Sequence, residues 1–141
     1  MAVFKEKEEE EIRKAVEAAE ALTSGEIRVC IEKHCPENPL DRAANYFTKL
    51  GMNKTSLRNG VLVYLAYDDR KFAIIGDAGI NKVVPPHFWD DTKELMLSHF
   101  KEGRLAEGLI AGIAMAGNEL KIFFPAKDGD SNELPDDISY M

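Results

Sequence analysis

The residues best suited to chemistry in this sequence form a glycine turn. Gly76 and Gly79 bracket Asp77 directly after the apolar run "FAII". The turn lacks the Gly-Lys-Ser/Thr ending of a phosphate-binding loop and the G-x-G-x-x-G pattern of a dinucleotide site. Two interpretations stay open. One is a plain turn, in which glycine supplies positive φ and Asp77 bonds its own backbone; the other is a contact to a hard cation such as Ca²⁺.

Three further acids, Asp90, Asp91 and Glu94, open the next predicted helix, where Asp90 and Glu94 share a face at spacing i, i+4. Ca²⁺ takes about six to eight oxygen ligands, and carboxylates are common among them. Asp77, Asp90, Asp91 and Glu94 are therefore the predicted ligands of Ca²⁺ or Mg²⁺. The alternative is that the helix acids only complement the positive end of the helix dipole.

Other kinds of reactive site find little support in the sequence. Cys30, His34 and Cys35 are too few for a structural zinc site, and Cys30 lies inside a predicted strand. No serine sits in a G-x-S-x-G motif or beside a convincing basic partner. The sequence therefore identifies no catalytic residue.

The composition of the 141-residue chain is typical of one soluble globular domain, with 45% hydrophobic and 30% charged residues. The net charge of -7 and the pI of about 5.0 argue against a nucleic-acid surface, which needs clustered Lys and Arg. The amino terminus has no apolar signal region, and no stretch approaches the roughly 18 apolar residues of a membrane span. We expect a cytoplasmic protein with reduced thiols and no integral membrane segment.

Hydrophobic periodicity predicts the order α-β-α-β-β-α-α. "EIRVCIE" alternates as a strand with one apolar face, whereas "GVLVYLAY" and "RKFAIIG" are apolar on both faces and form a hairpin. The helix-containing connection between the first two strands suits a parallel crossover. The predicted fold is an αβα sandwich, with a small central mixed sheet and helices on both faces, over residues 1–124. An acidic irregular tail follows over residues 125–141, and a short extra strand near residues 80–84 is a further option.

Strand direction predicts which side chains meet at each end of the sheet. With the first two strands parallel and the third antiparallel, two strand starts and one strand finish share an end. That end collects Glu26, Arg58, Asn59 and Asp77. The opposite end is the carboxyl end of the parallel strands, where ligands of open α/β sheets usually bind. It carries Glu32, His34, Cys35, Asp68 and Asp69. The two ends therefore compete as the functional site.

Four motifs in order, "SGEIRVCIE", "LGMNKTSLRNGVLVYLAYDDRKFAIIGDAGI", "FKEGRLAEGLIAGI" and "NELPDDISY", resemble the TPM-domain family. The resemblance spans roughly residues 10–124, and the ending is similar to short stand-alone bacterial members. It implies an αβα sandwich and divalent-cation binding, Ca²⁺ in particular, near acidic loops. It also implies weak acid phosphatase activity, as attributed to plant members, or a role in assembling or repairing membrane complexes. The residues that match are Gly76, Asp77 and Gly79, and then Asp90 and Asp91.

Three functional hypotheses follow from these observations. The first is a domain that binds Ca²⁺ or Mg²⁺ and serves as an interaction or assembly module for another protein. The second is a weak metal-dependent phosphatase of phosphomonoesters, in which Arg58 or Lys54 holds phosphate oxygens. The third is a purely structural domain whose acids keep it in solution. This sequence shows neither the signal peptide nor the membrane anchor that many relatives carry, so we expect their membrane roles not to transfer.

Overall fold

The computed structural model describes residues 3–126 and 136–141 of the chain. Helices α1 to α5 span Glu6–Glu20, Pro39–Lys49, Ala78–Asn81, Asp90–Phe100 and Leu105–Phe123. Strands β1 to β4 span Glu26–Glu32, Gly60–Ala66, Lys71–Gly76 and Ser139–Tyr140. A short 3₁₀ turn, Met52–Lys54, leads into β2.

The sheet is mixed, with strand order β3-β2-β1-β4. β1 and β2 run parallel, from Glu26 opposite Gly60 to Glu32 opposite Ala66, and α2 lies in the connection between them. β2 and β3 are antiparallel partners. The predicted parallel crossover and hairpin are therefore confirmed. The lower end of the sheet is defined as the end where β1 and β2 begin and β3 finishes, and the upper end is the opposite one.

Helices cover both faces of the sheet, which confirms the αβα sandwich. Because side chains alternate along a strand, each strand of the hairpin contributes to two cores. One core lies against α1, α4 and α5 and includes Ile12, Val29, Val63, Met96 and Leu109. The other lies against α2 and includes Cys30, Ala43, Phe47, Leu62 and Tyr64.

Local sequence explains how α2 and α5 are placed. Asn38 caps α2 by accepting the Leu40 N–H at 2.8 Å, ahead of a proline that suits the first helical position. In α5, a Cβ at Gly112 would meet the Met96 side chain at 2.5 Å, so glycine lets α5 approach α4 closely. Within residues 3–126 and 136–141, the helices are all too short or too polar to cross a membrane.

The structure differs from the sequence prediction in two places. Residues 80–84 do not form an extra strand, because α3 occupies Ala78–Asn81 and a turn follows. The tail is not irregular to its end, because β4 pairs parallel with β1, Cys30 opposite Ser139. The Met141 N–H donates to the Ile31 carbonyl at 2.9 Å and continues this pairing. The predicted tail residues 127–135 lie outside the described part of the chain.

Candidate functional site

Arg58 and Asp77 meet at the lower end of the sheet, as the strand directions predict. The guanidinium donates from Nε to Asp77 Oδ2 at 2.7 Å and from Nη2 to Oδ1 at 2.8 Å. The Ala78 N–H adds a third bond to Oδ1 at 2.7 Å, and the Asp77 side chain is only 5% exposed. The Asp77 charge is therefore neutralised by the chain itself.

The glycine turn fastens the end of β3 to the loop before β2. The Gly79 N–H donates to the Arg58 carbonyl at 2.9 Å, and the Asp77 N–H donates to the Gly60 carbonyl at 2.9 Å. A Cβ at Gly79 would collide with the carbonyl oxygens of Leu57 and Arg58, so only glycine fits there. The bond from the Ala78 N–H to Asp77 Oδ1 matches the plain-turn interpretation of residues 76–79. The expected positive φ is wrong, because neither Gly76 nor Gly79 has it, and close packing is the reason for glycine at position 79. These contacts do not suit Asp77 as a cation ligand, because N–H donors already occupy its carboxylate.

Glu26 and Asn59 lie at the same end, at the first residues of the parallel pair. The Glu26 N–H donates to the Asn59 carbonyl at 3.4 Å, and Asn59 Nδ2 donates to Ser24 Oγ at 3.4 Å. Both side chains are buried, at 4% and 2% exposure. Glu26, Arg58, Asn59 and Asp77 thus share the lower end of the sheet, as the strand directions predict.

The three acids predicted on α4 lie on its exposed first turns. Asp90 pairs with His87 Nδ1 at 3.4 Å, while Asp91 and Glu94 face solvent. Across residues 3–126 and 136–141, no three His, Cys, Asp or Glu side chains group so as to hold a metal ion. The structure therefore does not gather Asp77 with these acids, and their role as ligands stays a prediction.

A pair of acids that the sequence did not single out, Glu20 and Asp136, meets beside β1 at the lower end. Glu20 is the last residue of α1; its Oε2 accepts the Ile27 N–H at 2.9 Å, and its carboxyl hydrogen-bonds with Asp136. Burial, and then Asp136, raise the pKa of Glu20 to about 9, with a further contribution from Glu26 and only partial opposition from the Ile27 N–H. Glu20 therefore keeps its proton at neutral pH and donates it to Asp136.

The turn after α1 brings Glu20 to the first residues of β1. Thr23 forms a β-bridge with Pro125, and the Ser24 N–H donates to the Phe124 carbonyl at 2.9 Å. The Gly25 N–H donates to Thr23 Oγ1 at 3.1 Å. The sequence offers one signal for this site, because Glu20 is an acid at the end of an amphipathic helix. Asp136 gave none, because it lies in a segment predicted to be irregular.

The upper end holds another buried glutamate, Glu32, surrounded by donors. Arg42 donates from Nε to Oε2 at 2.8 Å and from Nη2 to Oε1 at 3.0 Å, and Tyr46 donates to Oε1 at 2.9 Å. The Tyr64 hydroxyl also donates to Oε2. Burial by itself would raise the pKa of Glu32, but these donors hold that pKa below its ordinary value. The arrangement anchors α2 to the sheet and leaves the carboxylate no free lone pair for a ligand.

The remaining upper-end candidates lie just after β1 and in the turn between β2 and β3. The Asp69 carboxylate accepts the Cys35 N–H at 2.7 Å and lies 3.1 Å from His34 Nδ1. The hydrogen bond to His34, and then the one from Cys35, lower the pKa of Asp69. Cys30 and Cys35 are buried free thiols. These contacts fix a turn, and they place no nucleophile beside a base.

Comparisons with known proteins were consistent with this architecture. The TPM domain family matches residues 1–119. The BA42 protein of the psychrophilic bacterium Bizionia argentinensis is similar, with 44% identity and a TM-score of 0.94 over 99% of this chain and 97% of that chain. No curated protein matches the chain.

Two solved N-terminal domains share the fold at lower identity. One is from a P. gingivalis protein, with 20% identity and a TM-score of 0.70 over 87% of this chain and 80% of that chain. The other is from a Corynebacterium glutamicum protein, with 14% identity and a TM-score of 0.68 over 84% of this chain and 74% of that chain.

Proposed function

The chain belongs to the TPM-domain family, and on that premise we propose that it acts as a divalent-cation-binding interaction module. The cation, Ca²⁺ or Mg²⁺, would bind at the lower end of the sheet, beside the start of β1. The residues that would hold it are Glu20 and Asp136, with Glu26 adding negative charge nearby. This proposed site differs from the one expected at Asp77, because the Asp77 carboxylate already forms an ion pair with Arg58.

The observation that carries the proposal is the Glu20–Asp136 carboxyl pair. Two carboxyl groups in hydrogen-bonding contact resist double ionisation, so the pair retains a proton, as the pKa of about 9 for Glu20 indicates. Carboxylate oxygens are the ligands that Ca²⁺ and Mg²⁺ prefer, and Mg²⁺ commonly uses one or two carboxylates and several waters. A two-carboxylate donor set fits that chemistry without any further acid. Cation binding would release the shared proton, so we expect affinity to rise with pH.

The position of the pair supports the interaction role. Glu20 belongs to α1 and Asp136 lies just before β4, so an ion held by both residues would keep the C-terminal segment against the sheet. β4 is only two residues long and covers the outer edge of β1. Exposed strand edges pair readily with extended peptides. We therefore infer that the cation controls whether this edge is kept by β4 or offered to a protein partner.

The location of the protein in the cell is part of the same proposal. Cys30 and Cys35 are both free thiols, which suits the reducing cytoplasm. A cytoplasmic cation site would experience mainly Mg²⁺, with Ca²⁺ as a transient competitor.

The alternative, a weak metal-dependent acid phosphatase, has less support. Its phosphate-binding cation was Arg58, but the Nε and Nη2 groups of Arg58 are committed to Asp77. A phosphatase predicts phosphomonoester turnover that depends on the added ion and disappears in Asp77→Asn.

The test is the stability of the full chain with added CaCl₂ or MgCl₂ near neutral pH. A ligand that binds only the native state raises the free energy of unfolding, by about 2.7 kcal/mol at a concentration one hundred times its Kd. We expect this gain in the wild type and its loss in Glu20→Gln and Asp136→Asn. Glutamine resembles the protonated carboxyl that Glu20 already carries, so the first variant should fold.

The matched control is the double variant Asp90→Asn/Asp91→Asn, which removes two exposed acids from α4. It should keep the full response to cation. A response that survives in Glu20→Gln but is lost in the α4 variant would return the site to the acids first predicted. A flat response in the wild type would leave the purely structural hypothesis.

A further inference from the structure

A cavity at the upper end of the sheet lies between the β2–β3 hairpin and the junction of α4 with α5. Its volume is about 350 Å³, within the range of small-molecule sites. The residues that matter for its chemistry are Arg70, Phe72, Leu97, Phe100 and Lys101. It is separate from the Glu20–Asp136 pair, so its occupation does not depend on cation binding.

The inner wall of the cavity is apolar and fixed in shape. The rings of Phe72 and Phe100 pack edge to face with centroids 5.0 Å apart, and buried Leu65 lines the same wall. Gly108 lets the Phe100 ring pack closely against α5, since a Cβ there would collide with the ring. Leu97 lines the cavity while keeping 41% of its surface exposed. The wall thus offers contact to an apolar group from solvent.

The mouth of the cavity is open at the turn between α4 and α5. Gly103 lies in this turn with φ +76, and a Cβ built on it meets nothing within 4 Å. Because Gly103 has no side chain, this turn does not block access of a ligand to the cavity.

Two cations stand at the cavity. Arg70 and Lys101 are exposed, and neither forms an ion pair or side-chain hydrogen bond with any residue in 3–126 or 136–141. The acids nearest to them in sequence are already engaged: Asp69 with His34 and the Cys35 N–H, and Glu102 with Arg104 at 3.5 Å. In a chain with a net charge of -7, two unpaired cations at a cavity with an apolar inner wall favour an anionic ligand.

The hairpin turn fixes where Arg70 stands. Arg70 is the last residue of the turn between β2 and β3, and its φ of +54 is a left-handed conformation that hairpin loops commonly place at their end. The turn therefore positions the guanidinium at the cavity next to the first residues of β3.

We propose that this cavity binds a small amphipathic carboxylate, namely a free medium-chain fatty acid anion. The hydrocarbon tail lies against Phe72, Phe100 and Leu97, and the carboxylate lies between Arg70 and Lys101. Arginine suits this task because its planar guanidinium can bind both oxygens of a carboxylate. The ligand leaves the α2 face of the sheet and the lower end untouched.

The experiment is isothermal titration of the full chain with octanoate, with amide NMR shifts to locate the ligand. We expect saturable binding, with shifts at residues 65–72 and 97–105. The double variant Arg70→Gln/Lys101→Gln should bind octanoate on the order of tenfold more weakly, because it loses hydrogen bonds to a charged group. The matched control Lys82→Gln/Lys121→Gln removes the same charge from exposed positions elsewhere and should bind as the wild type does.

Two further measurements separate the head group from the tail. Octanol should bind the wild type and the double variant equally weakly, and octylammonium should not bind. Leu97→Gln, at a half-exposed position that should tolerate the change, should weaken octanoate and octanol alike. Equal octanoate affinity in the double variant, equal loss in the control, shifts confined to other regions, or no saturable binding would each overturn the proposal.

Discussion

The two ends of the sheet treat buried glutamates in opposite ways. At the upper end, Glu32 receives a guanidinium and two tyrosine hydroxyls, and its pKa is lowered although burial opposes this. At the lower end, burial and then Asp136 raise the pKa of Glu20 to about 9. Burial raises the pKa of both glutamates, and the partners decide the net direction of each shift. Where the chain supplies donors, the carboxylate is an anchor; where it supplies a second acid, a proton or cation must come from solution.

Removing the cation from the upper end should have the largest effect. Arg42→Met leaves the Glu32 carboxylate buried with only tyrosine donors, so we expect a loss of about 3 kcal/mol in the free energy of unfolding, measured with urea. Arg13→Met, which breaks the exposed pairs with Glu10 and Glu17, should cost less than about 1 kcal/mol. Similar losses in both variants would mean that Glu32 is not an anchor.

A second variant examines the turn that holds the Arg58–Asp77 ion pair at the lower end. Gly79→Ala forces a Cβ against two backbone carbonyls and should cost about 2 kcal/mol, with or without added cation. Gly103→Ala meets no atoms and should cost about 1 kcal/mol, from its left-handed backbone alone. If Gly79→Ala instead abolished cation binding while leaving stability intact, the glycine turn would be a ligand site after all.

The pH dependence of Glu20→Gln sharpens the contrast between the two glutamates. The folded pKa of Glu20 is raised, so the native state holds a proton that the unfolded chain has lost between about pH 4.5 and about pH 9. Wild-type stability attributable to Glu20 is therefore complete below pH 4.5 and falls as pH rises through this window. Glu20→Gln should be more stable than the wild type near pH 8, where only the wild type must take up a proton to fold, and equal to it near pH 4.

Urea unfolding of both proteins across this pH range provides the measurement. Glu17→Gln, on the exposed face of α1, is the control and should show no such trend. Parallel curves for the wild type and Glu20→Gln would contradict the raised pKa. Glu32 should behave in the opposite sense: because its pKa is lowered, its contribution is present at neutral pH and is lost as pH falls below the ordinary range of a glutamate.

The smallest effect is expected on α4. Burial raises the pKa of Glu119, and Asp91 adds to that rise, so Asp91→Asn should bring the pKa of Glu119 partly down. The free energy of unfolding should change by no more than about 0.5 kcal/mol, because Asp91 is exposed. Carbon-detected NMR titration of Glu119 gives the first quantity and urea unfolding the second. A large loss of stability would mean that the α4 acids form more than a solvated first turn.

Sequence reasoning predicted the frame of this protein well, for a physical reason. The period-2 and period-3.6 patterns specify which residues are buried, and strand direction then brings Arg58 and Asp77 to one end. The hydrophobic pattern could not predict that Arg58 and Asp77 form a salt bridge at that end. A carboxylate near a guanidinium becomes a salt bridge only through side-chain geometry, and here that geometry pairs Asp77 with Arg58.

The Glu20–Asp136 pair could not be predicted from the sequence, for a different reason. It depends on β4, whose two residues give no periodic signal, and on a turn that points the end of α1 at β1. For Glu32, the sequence predicted the position at the upper end of the sheet, because that position follows from the strand, but not the partners of its carboxylate. Arg42 and Tyr46 lie one helical turn apart on α2, and their convergence on one carboxylate follows only from the packed structure.

The short pairing of β4 with β1 has a consequence for the order of folding. Arg28 Nε donates to Ser139 Oγ at 2.9 Å across 111 positions of the chain, whereas α2 and the β2–β3 hairpin are built from neighbours. Contacts of such sequence separation carry the greatest loop-closure cost and form late. We therefore expect the C-terminal strand to dock onto a sheet that has already formed. Because Asp136 lies just before β4, the carboxyl pair would form in the same step.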